Sequence, residues 1–158
     1  MEIRNFRAED AQELSEVIAR TMRTCNVKDY GEELIELCIA GKTPEKLIEC
    51  SNWMHIYVLC DGERIVGTGS IGPYWGSTTE SSLFTIFVLP EYQGRGLGRL
   101  IVETLEQDEF FLRAERIEIP ASLTAVDFYK RMGYDYKNGS SEPDEDHNIK
   151  MEKFRSIL

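Results

Sequence analysis

The chain has 158 residues, 42% apolar and 29% charged, with a formal net charge of -10. That length suits one domain with a core of its own, expected over residues 1–158, and the composition excludes extended disorder. The acidic excess argues against nonspecific nucleic-acid binding, and without an apolar run of roughly 18 residues or an apolar leader in MEIRNFRAED neither a membrane span nor export is expected, so the chain reads as cytoplasmic.

EIRNF, residues 2–6, reads as a short strand. Asp10 to Met22 then carries Ala11, Leu14, Val17, Ile18 and Met22 at helical spacing. A second helix is predicted from Glu32 to Ala40, stopping at Gly41. TPEKLIEC follows as a third, with Thr43 as its cap and Pro44 at its first position. The period then changes to that of strands. MHIYVLCDGERIVGTGSI is two strand-like runs around Asp61-Gly62, a hairpin signal, and after the turn-rich GPYWGSTTESS comes another strand, SLFTIFV. A helix is predicted from about Gly96 to Ala114. RIEIP then forms a strand at a separation from SLFTIFV that suits a βαβ crossover, so these two should be parallel. SLTAVDFYKRMGY places Ala125, Phe128, Tyr129 and Met132 on one helical stripe with Gly133 as the stop. Two last strands, near Tyr134 to Lys137 and Ile149 to Phe154, flank the loop NGSSEPDEDHN. The class expected is α/β, a mixed sheet with helices on both faces.

Cys25, Cys38, Cys50 and Cys60 are too widely spaced for a CxxC pattern and fit buried thiols, and His55 and His147 lie too far apart to suggest a metal site. GTGSIG matches the dinucleotide spacing GxGxxG at Gly67, Gly69 and Gly72, yet it continues a strand and runs into Pro73, whereas that fingerprint must open a helix. LPEYQGRGLGRL is different. A strand stops at Val88, Pro90 breaks the ladder, and a helix opens near Gly96 with unpaired N–H groups at its positive end. Gly94, Gly96 and Gly98 let an anion approach the backbone, and Arg95 and Arg99 add charge; a tight turn with incidental glycines is the alternative.

QGRGLG, Gln93 to Gly98, preceded by FVLPEY, resembles the acyl-CoA loop (R/Q-x-x-G-x-G/A) of the GNAT family of N-acetyltransferases. AVDFYKRMGY, Ala125 to Tyr134, resembles the same family's downstream helix-and-strand motif, and the order of elements is similar along nearly the whole chain. The resemblance implies a GNAT-like acyl-CoA N-acyltransferase fold, with a mostly antiparallel twisted sheet and one splayed parallel strand pair. It also implies acetyl-CoA as cosubstrate and an amine as acceptor. The backbone of Ile86, Phe87 and Val88 would bond the pantetheine arm as an added strand does. Gln93, Gly94, Arg95, Gly96, Leu97, Gly98 and Arg99 would surround the pyrophosphate. Ser122 stands where many relatives have Asn, and Tyr129 would donate to the departing sulfur. The base positions of histone-type and ribosomal-protein-type relatives fall on Ser82 and near Ile117, neither a carboxylate.

Amine acetylation needs a neutral nitrogen. An alkyl amine of pKa ~10.4 is neutral about once in 2,500 molecules at pH 7, a shortfall of roughly 4.6 kcal/mol, so some proton acceptor is expected. Glu80 and Glu118 are the candidates, with surface carboxylates as the alternative for both. The acceptor site is expected around Thr24 to Glu33, including Cys25 and Tyr30, with the turns holding Tyr74 and Trp75 and the terminal loop. Glu142, Asp144, Glu145 and Asp146 in that loop either attract a cationic amine or form a solvated face. Direct transfer in a ternary complex is expected rather than an acetyl-cysteine relay, because no cysteine is near the glycine loop or Tyr129 in sequence. Two rival readings are a noncatalytic acyl-CoA sensor and a nucleotide-binding module. Exposed sheet edges make a homodimer plausible.

Overall fold

The structure, a computed structural model, describes residues 1–155. Among them are strands β1 (Glu2–Asn5), β2 (His55–Asp61), β3 (Arg64–Pro73), β4 (Glu80–Val88), β5 (Arg116–Ala121), β6 (Asp135–Tyr136) and β7 (Ile149–Phe154). They form one sheet in chain order, except that β7 enters between β5 and β6. The β4–β5 pair is parallel and every other neighbouring pair antiparallel, so the expected mixed sheet and its parallel pair are both present. No helix among the described residues is long and apolar enough to cross a membrane.

Leu14, Val17, Ile18 and Thr21 bury one face of α1 (Ala11–Thr21), as the spacing predicts. The helix does not stop there. A π turn, Met22–Asn26, carries the chain into α2 (Val27–Tyr30), which ends where Gly31 takes φ +80°. Next come α3 (Glu32–Ala40) and α4 (Pro44–Cys50), whose cap is the expected one, with Thr43 Oγ1 accepting from Lys46 N at 3.3 Å.

The single helix expected over residues 96–114 is two, α5 (Leu97–Leu105) and α6 (Glu109–Leu112). Asp108 is the reason. Its carboxylate caps α6 by accepting from Phe110 N at 2.8 Å, and it also takes the Tyr57 hydroxyl at 2.7 Å and lies 2.8 Å from His55 Nδ1. Three partners from two elements outweigh one more turn of helix. The last helix, α7 (Val126–Arg131), follows a 3-10 turn at Leu123–Ala125.

Alternation along β3 places helices on both faces. Thr68 and Ser70 face the side packed by Leu14 and Ile18 of α1 and Leu47 of α4, whereas Gly67 and Gly69 face α5. GTGSIG thus lies wholly within β3, and its glycines serve packing. A Cβ at Gly69 would stand 2.4 Å from Ile101 Cγ2 and 3.1 Å from Leu105 Cδ1. Glycine there lets α5 lie close on the sheet. Gly69→Ala is therefore expected to destabilise the fold by about 1–3 kcal/mol, the cost of overpacking a filled core, read from urea unfolding.

Candidate active site

β4 and β5 pair only from Glu80 to Ser82 and from Arg116 to Glu118, after which they part. The cause is a bulge in β4. Thr68 lies opposite Phe87 and Ser70 opposite Phe84, so Thr85 and Ile86 together face Gly69. Thr85 sits at φ +53°, a left-handed conformation unfavourable for a β-branched residue, and the extra residue bends the strand. On the other side Pro120 has no N–H to offer and pairs across from Lys150 of β7.

The gap is a cleft of about 350 Å³. Leu83 to Phe87 wall one side, Ile119, Pro120 and Ser122 the other, and Asn26, Tyr30 and Tyr129 also line it. Leu89 N donates to Val66 O at 2.9 Å, and since amides alternate along a strand, the Val88 N–H turns to the cleft edge. The Val88 carbonyl is already engaged, accepting from Gln93 Nε2 at 2.9 Å.

The glycine loop lies just beyond Val88. Gly94 and Gly96 hold φ +78° and +76° with nothing within 4 Å of an added Cβ, so left-handed backbone rather than crowding calls for glycine at both. Gly98 differs, because its Cβ would meet the Phe128 ring of α7 at 3.4 Å. The first bond of α5 runs from Leu100 N to Gly96 O at 3.1 Å, and no side chain caps the helix. The amides of Leu97, Gly98 and Arg99 are thus without intrahelical acceptors at the positive end of the helix. Arg95 is exposed, resting 5.0 Å from the Tyr92 ring centroid, and Arg99 pairs with Glu103 at 2.7 Å.

Tyr129 is buried against the rings of Phe128 and Tyr134. Burial first, and Tyr30 second, push its phenol well above the ordinary tyrosine range. The two carboxylates stand apart from it. Arg116 binds Glu80 through Nε, and its Nη1 lies 3.0 Å from Glu118 and 3.1 Å from Glu152. Glu118 also meets Lys137 Nζ at 2.7 Å. Of the two, Glu118 reaches a cavity wall, beside Ser82.

That cavity, of about 1170 Å³, shares Phe84, Pro120, Asp146 and Asn148 with the cleft. Trp53, Tyr74 and Trp75 contribute aromatic surface to it, Glu118, Asp144, Glu145 and Asp146 contribute carboxylates, and Lys150 contributes a cation. Glu142 lies outside it, in a shallower depression with Lys137 and Lys150. Trp75 is 90% exposed and holds φ +48°. Three hydrogen bonds join α2 to the β5–β7 half, Tyr30 Oη to Asn148 Oδ1 at 2.5 Å and, to Asp29 Oδ2, Thr124 Oγ1 at 2.8 Å and Thr124 N at 3.3 Å.

Sequence reasoning missed Trp53, Thr85 and Arg116, and it covered Asn26 and Asn148 only as members of the segment Thr24 to Glu33 and of the terminal loop. A Thr inside a β-rich run carries no sign of a bulge, and the ion cluster depends on a register visible only in three dimensions. Distance along the chain also misled for the cysteines. Cys38 lines the cleft, and Cys25 Sγ accepts from Gln93 Nε2 at 3.2 Å.

Residues 18–134 match the Acetyltransferase (GNAT) family. The chain belongs to that family. No curated protein matches it. Among solved structures, this GNAT acetyltransferase is similar to the PaiA N-acetyltransferase of Thermoplasma acidophilum in complex with coenzyme A, with 20% identity, 98% of each chain covered and a TM-score of 0.82. A GCN5-related N-acetyltransferase from Rhodopseudomonas palustris shares 21% identity over 98% of this chain and 95% of its own, with a TM-score of 0.78. An aminoglycoside 6'-N-acetyltransferase complexed with coenzyme A shares 17% over 98% and 97%, with a TM-score of 0.71. At such identities the likeness is one of fold.

Removing the central cation of the carboxylate cluster tests how the cavity wall is held. Arg116→Met is expected to cost about 3–5 kcal/mol near neutral pH, because Glu80 and Glu152 lose their cation and Glu118 keeps only Lys137. Urea unfolding reads the loss.

Proposed function

We propose that this acetyltransferase moves an acetyl group from acetyl-CoA directly to a primary amine within a ternary complex. One observation carries the reading: an unpaired inner strand edge leads from uncapped helix amides at one end to an acidic, aromatic cavity at the other. The residues fit the cosubstrate. Left-handed Gly94 and Gly96 keep β-carbons off the loop where the amides of residues 97 to 99 would meet the pyrophosphate, with Gln93, Arg95 and Arg99 around it. The cleft edge of β4 at Ile86 to Val88 offers an extended arm the partners an added strand would have. Ser122 closes the far side.

The Val88 N–H suits the thioester oxygen, and Tyr129 the departing sulfur. Because burial raises the Tyr129 phenol, full transfer of its proton to a thiolate of ordinary pKa ~8.5 is uphill. Its role is therefore a hydrogen-bond donor. Of the two carboxylates, both paired with Arg116, Glu118 is the better placed to take the amine's proton, directly or through water, since it lines the acceptor cavity and Glu80 does not.

The acceptor cavity supports a finer statement. A nitrogen attacks only after losing its proton, so carboxylates and tryptophans that attract cations act best on a second nitrogen that stays charged. A diamine is then expected to outrun a monoamine of equal length by about fivefold in kcat/KM, the scale of one partly exposed charge contact. A Glu145→Gln, Asp146→Asn double variant should lose that preference.

Three measurements test the whole. Thiol release across an amine library should depend on the amine; coenzyme A binding with no amine-dependent release would instead support a noncatalytic sensor. Tyr129→Phe should lower kcat by roughly tenfold to a hundredfold with little change in acetyl-CoA affinity, and unchanged turnover would remove its role. Cys38→Ser should keep its turnover, as direct transfer requires.

A further inference from the structure

A further pocket, of about 220 Å³, lies on the α1 and α4 side of the sheet. Leu14 and Ile18 of α1, Leu47 of α4, and Met54 and Ile56 give it apolar walls, all five buried and none of them lining the cleft or the acceptor cavity. Lys42 is the one charged side chain on it among the described residues. Phe84 belongs to all three spaces. It pairs across from Ser70, so its ring lies on the face that Ser70 turns to the pocket, and there it meets the Trp53 ring edge-on with centroids 5.8 Å apart. Thr85 and Lys42 line both the pocket and the cleft.

Protein interiors are packed to the density of organic crystals, so an apolar space of this size beside the place of reaction calls for a reason. Transfer requires donor and acceptor to meet, and the wall that the cleft and the acceptor cavity have in common, Phe84 included, marks where. We propose that the pocket takes the tail of an acyl group longer than acetyl, so that the protein also transfers short apolar acyl groups from their coenzyme A thioesters. The inference rests on the direct-transfer reading above and adds a site to it. Apolar cavities of about 150 Å³ stay dry and admit a benzene-sized guest, so the volume here suits a tail of roughly four to six carbons. Bond changes are those of acetyl transfer: the acyl carbon bonds to nitrogen as its bond to sulfur breaks, the amine loses one proton, and coenzyme A leaves as the thiol. Phe84 stands where such a tail passes from the cleft into the pocket.

Amine-dependent thiol release with acetyl-, butyryl- and succinyl-coenzyme A as donors tests this. Burying one methylene is worth about threefold to fourfold in affinity, so butyryl-coenzyme A, with two more than acetyl, should exceed acetyl-coenzyme A about fivefold to tenfold in kcat/KM. Ser70 lines the pocket but neither the cleft nor the acceptor cavity. Ser70→Leu, filling the pocket from β3, should therefore abolish the butyryl preference and leave acetyl transfer unchanged. Should that variant fail to fold, Leu47→Phe narrows the pocket from α4 and carries the same comparison. Butyryl-coenzyme A at or below acetyl-coenzyme A, or a butyryl preference that survives the narrowing, overturns the proposal, as does succinyl-coenzyme A in first place, which would assign the pocket to the charge of Lys42. Each of these outcomes leaves acetyl transfer standing. A chain that releases no thiol from any donor across the amine library removes the transfer reading itself, and this inference with it.

Discussion

Everything in the site depends on a sheet that stops pairing in its own middle. Unpaired strand edges are normally confined to the rim, where they invite other chains, but the edge of β4 beyond Ser82 lies inside the fold and only something slender reaches it. One irregularity sets this up. The bulge at Thr85 and Ile86 faces Gly69, and Gly69 is also where α5 comes closest to the sheet. The residue that turns β4 away from β5 therefore sits opposite the residue that seats the helix whose uncapped amides close one end of the opening. Bend, opening and uncapped helix end are parts of one local arrangement.

Charge is distributed against the chain's overall sign. A net charge of -10 repels a polyanionic ligand at long range, so recognition has to come from short-range groups. Arg95 is exposed beside the loop, and Arg99 shares its charge with Glu103. The oriented amides at the start of α5 then matter more than net charge, because they act at contact distance and carry no counter-ion. The carboxylates are sorted in the same way. Those near the base of the parallel pair are gathered on Arg116 and Lys137, while the ones in the 144–146 loop face the wider cavity.

Periodicity and punctuation made most of the elements legible. The Thr43–Pro44 cap, the strand character of GTGSIG and the parallel pairing of RIEIP with SLFTIFV all follow from local chemistry or crossover length. Local chemistry also has limits. The helix over residues 96–114 breaks because Asp108 meets Tyr57 and His55, which are remote in sequence, and the π turn after Thr21 leaves the hydrophobic pattern of α1 undisturbed. The glycine loop and Tyr129 could be named from the sequence, since backbone freedom and an aromatic stripe are written in residue types. Thr85 and Arg116 could not, because their importance lies in what surrounds them.

Backbone and polar irregularities are concentrated where the two cavities lie. Thr85 and Trp75, both at positive φ, line the cleft and the wider cavity, and His147, at φ +64°, sits between two residues of their shared wall. The π turn and the Oδ1 of Asn26, buried without a hydrogen-bond partner, belong to the same neighbourhood. Away from it irregularities are fewer, a bulge between Leu59 and Cys60 and Asn138 at φ +53°, while β2 and β3 turn at a glycine with φ +61° and α4 starts on a threonine and a proline. A chain selected for stability alone would lose such features first, because each costs energy that a commoner residue or conformation avoids. Their collection around one opening means the cost is offset there, by what the opening does rather than by how the chain packs.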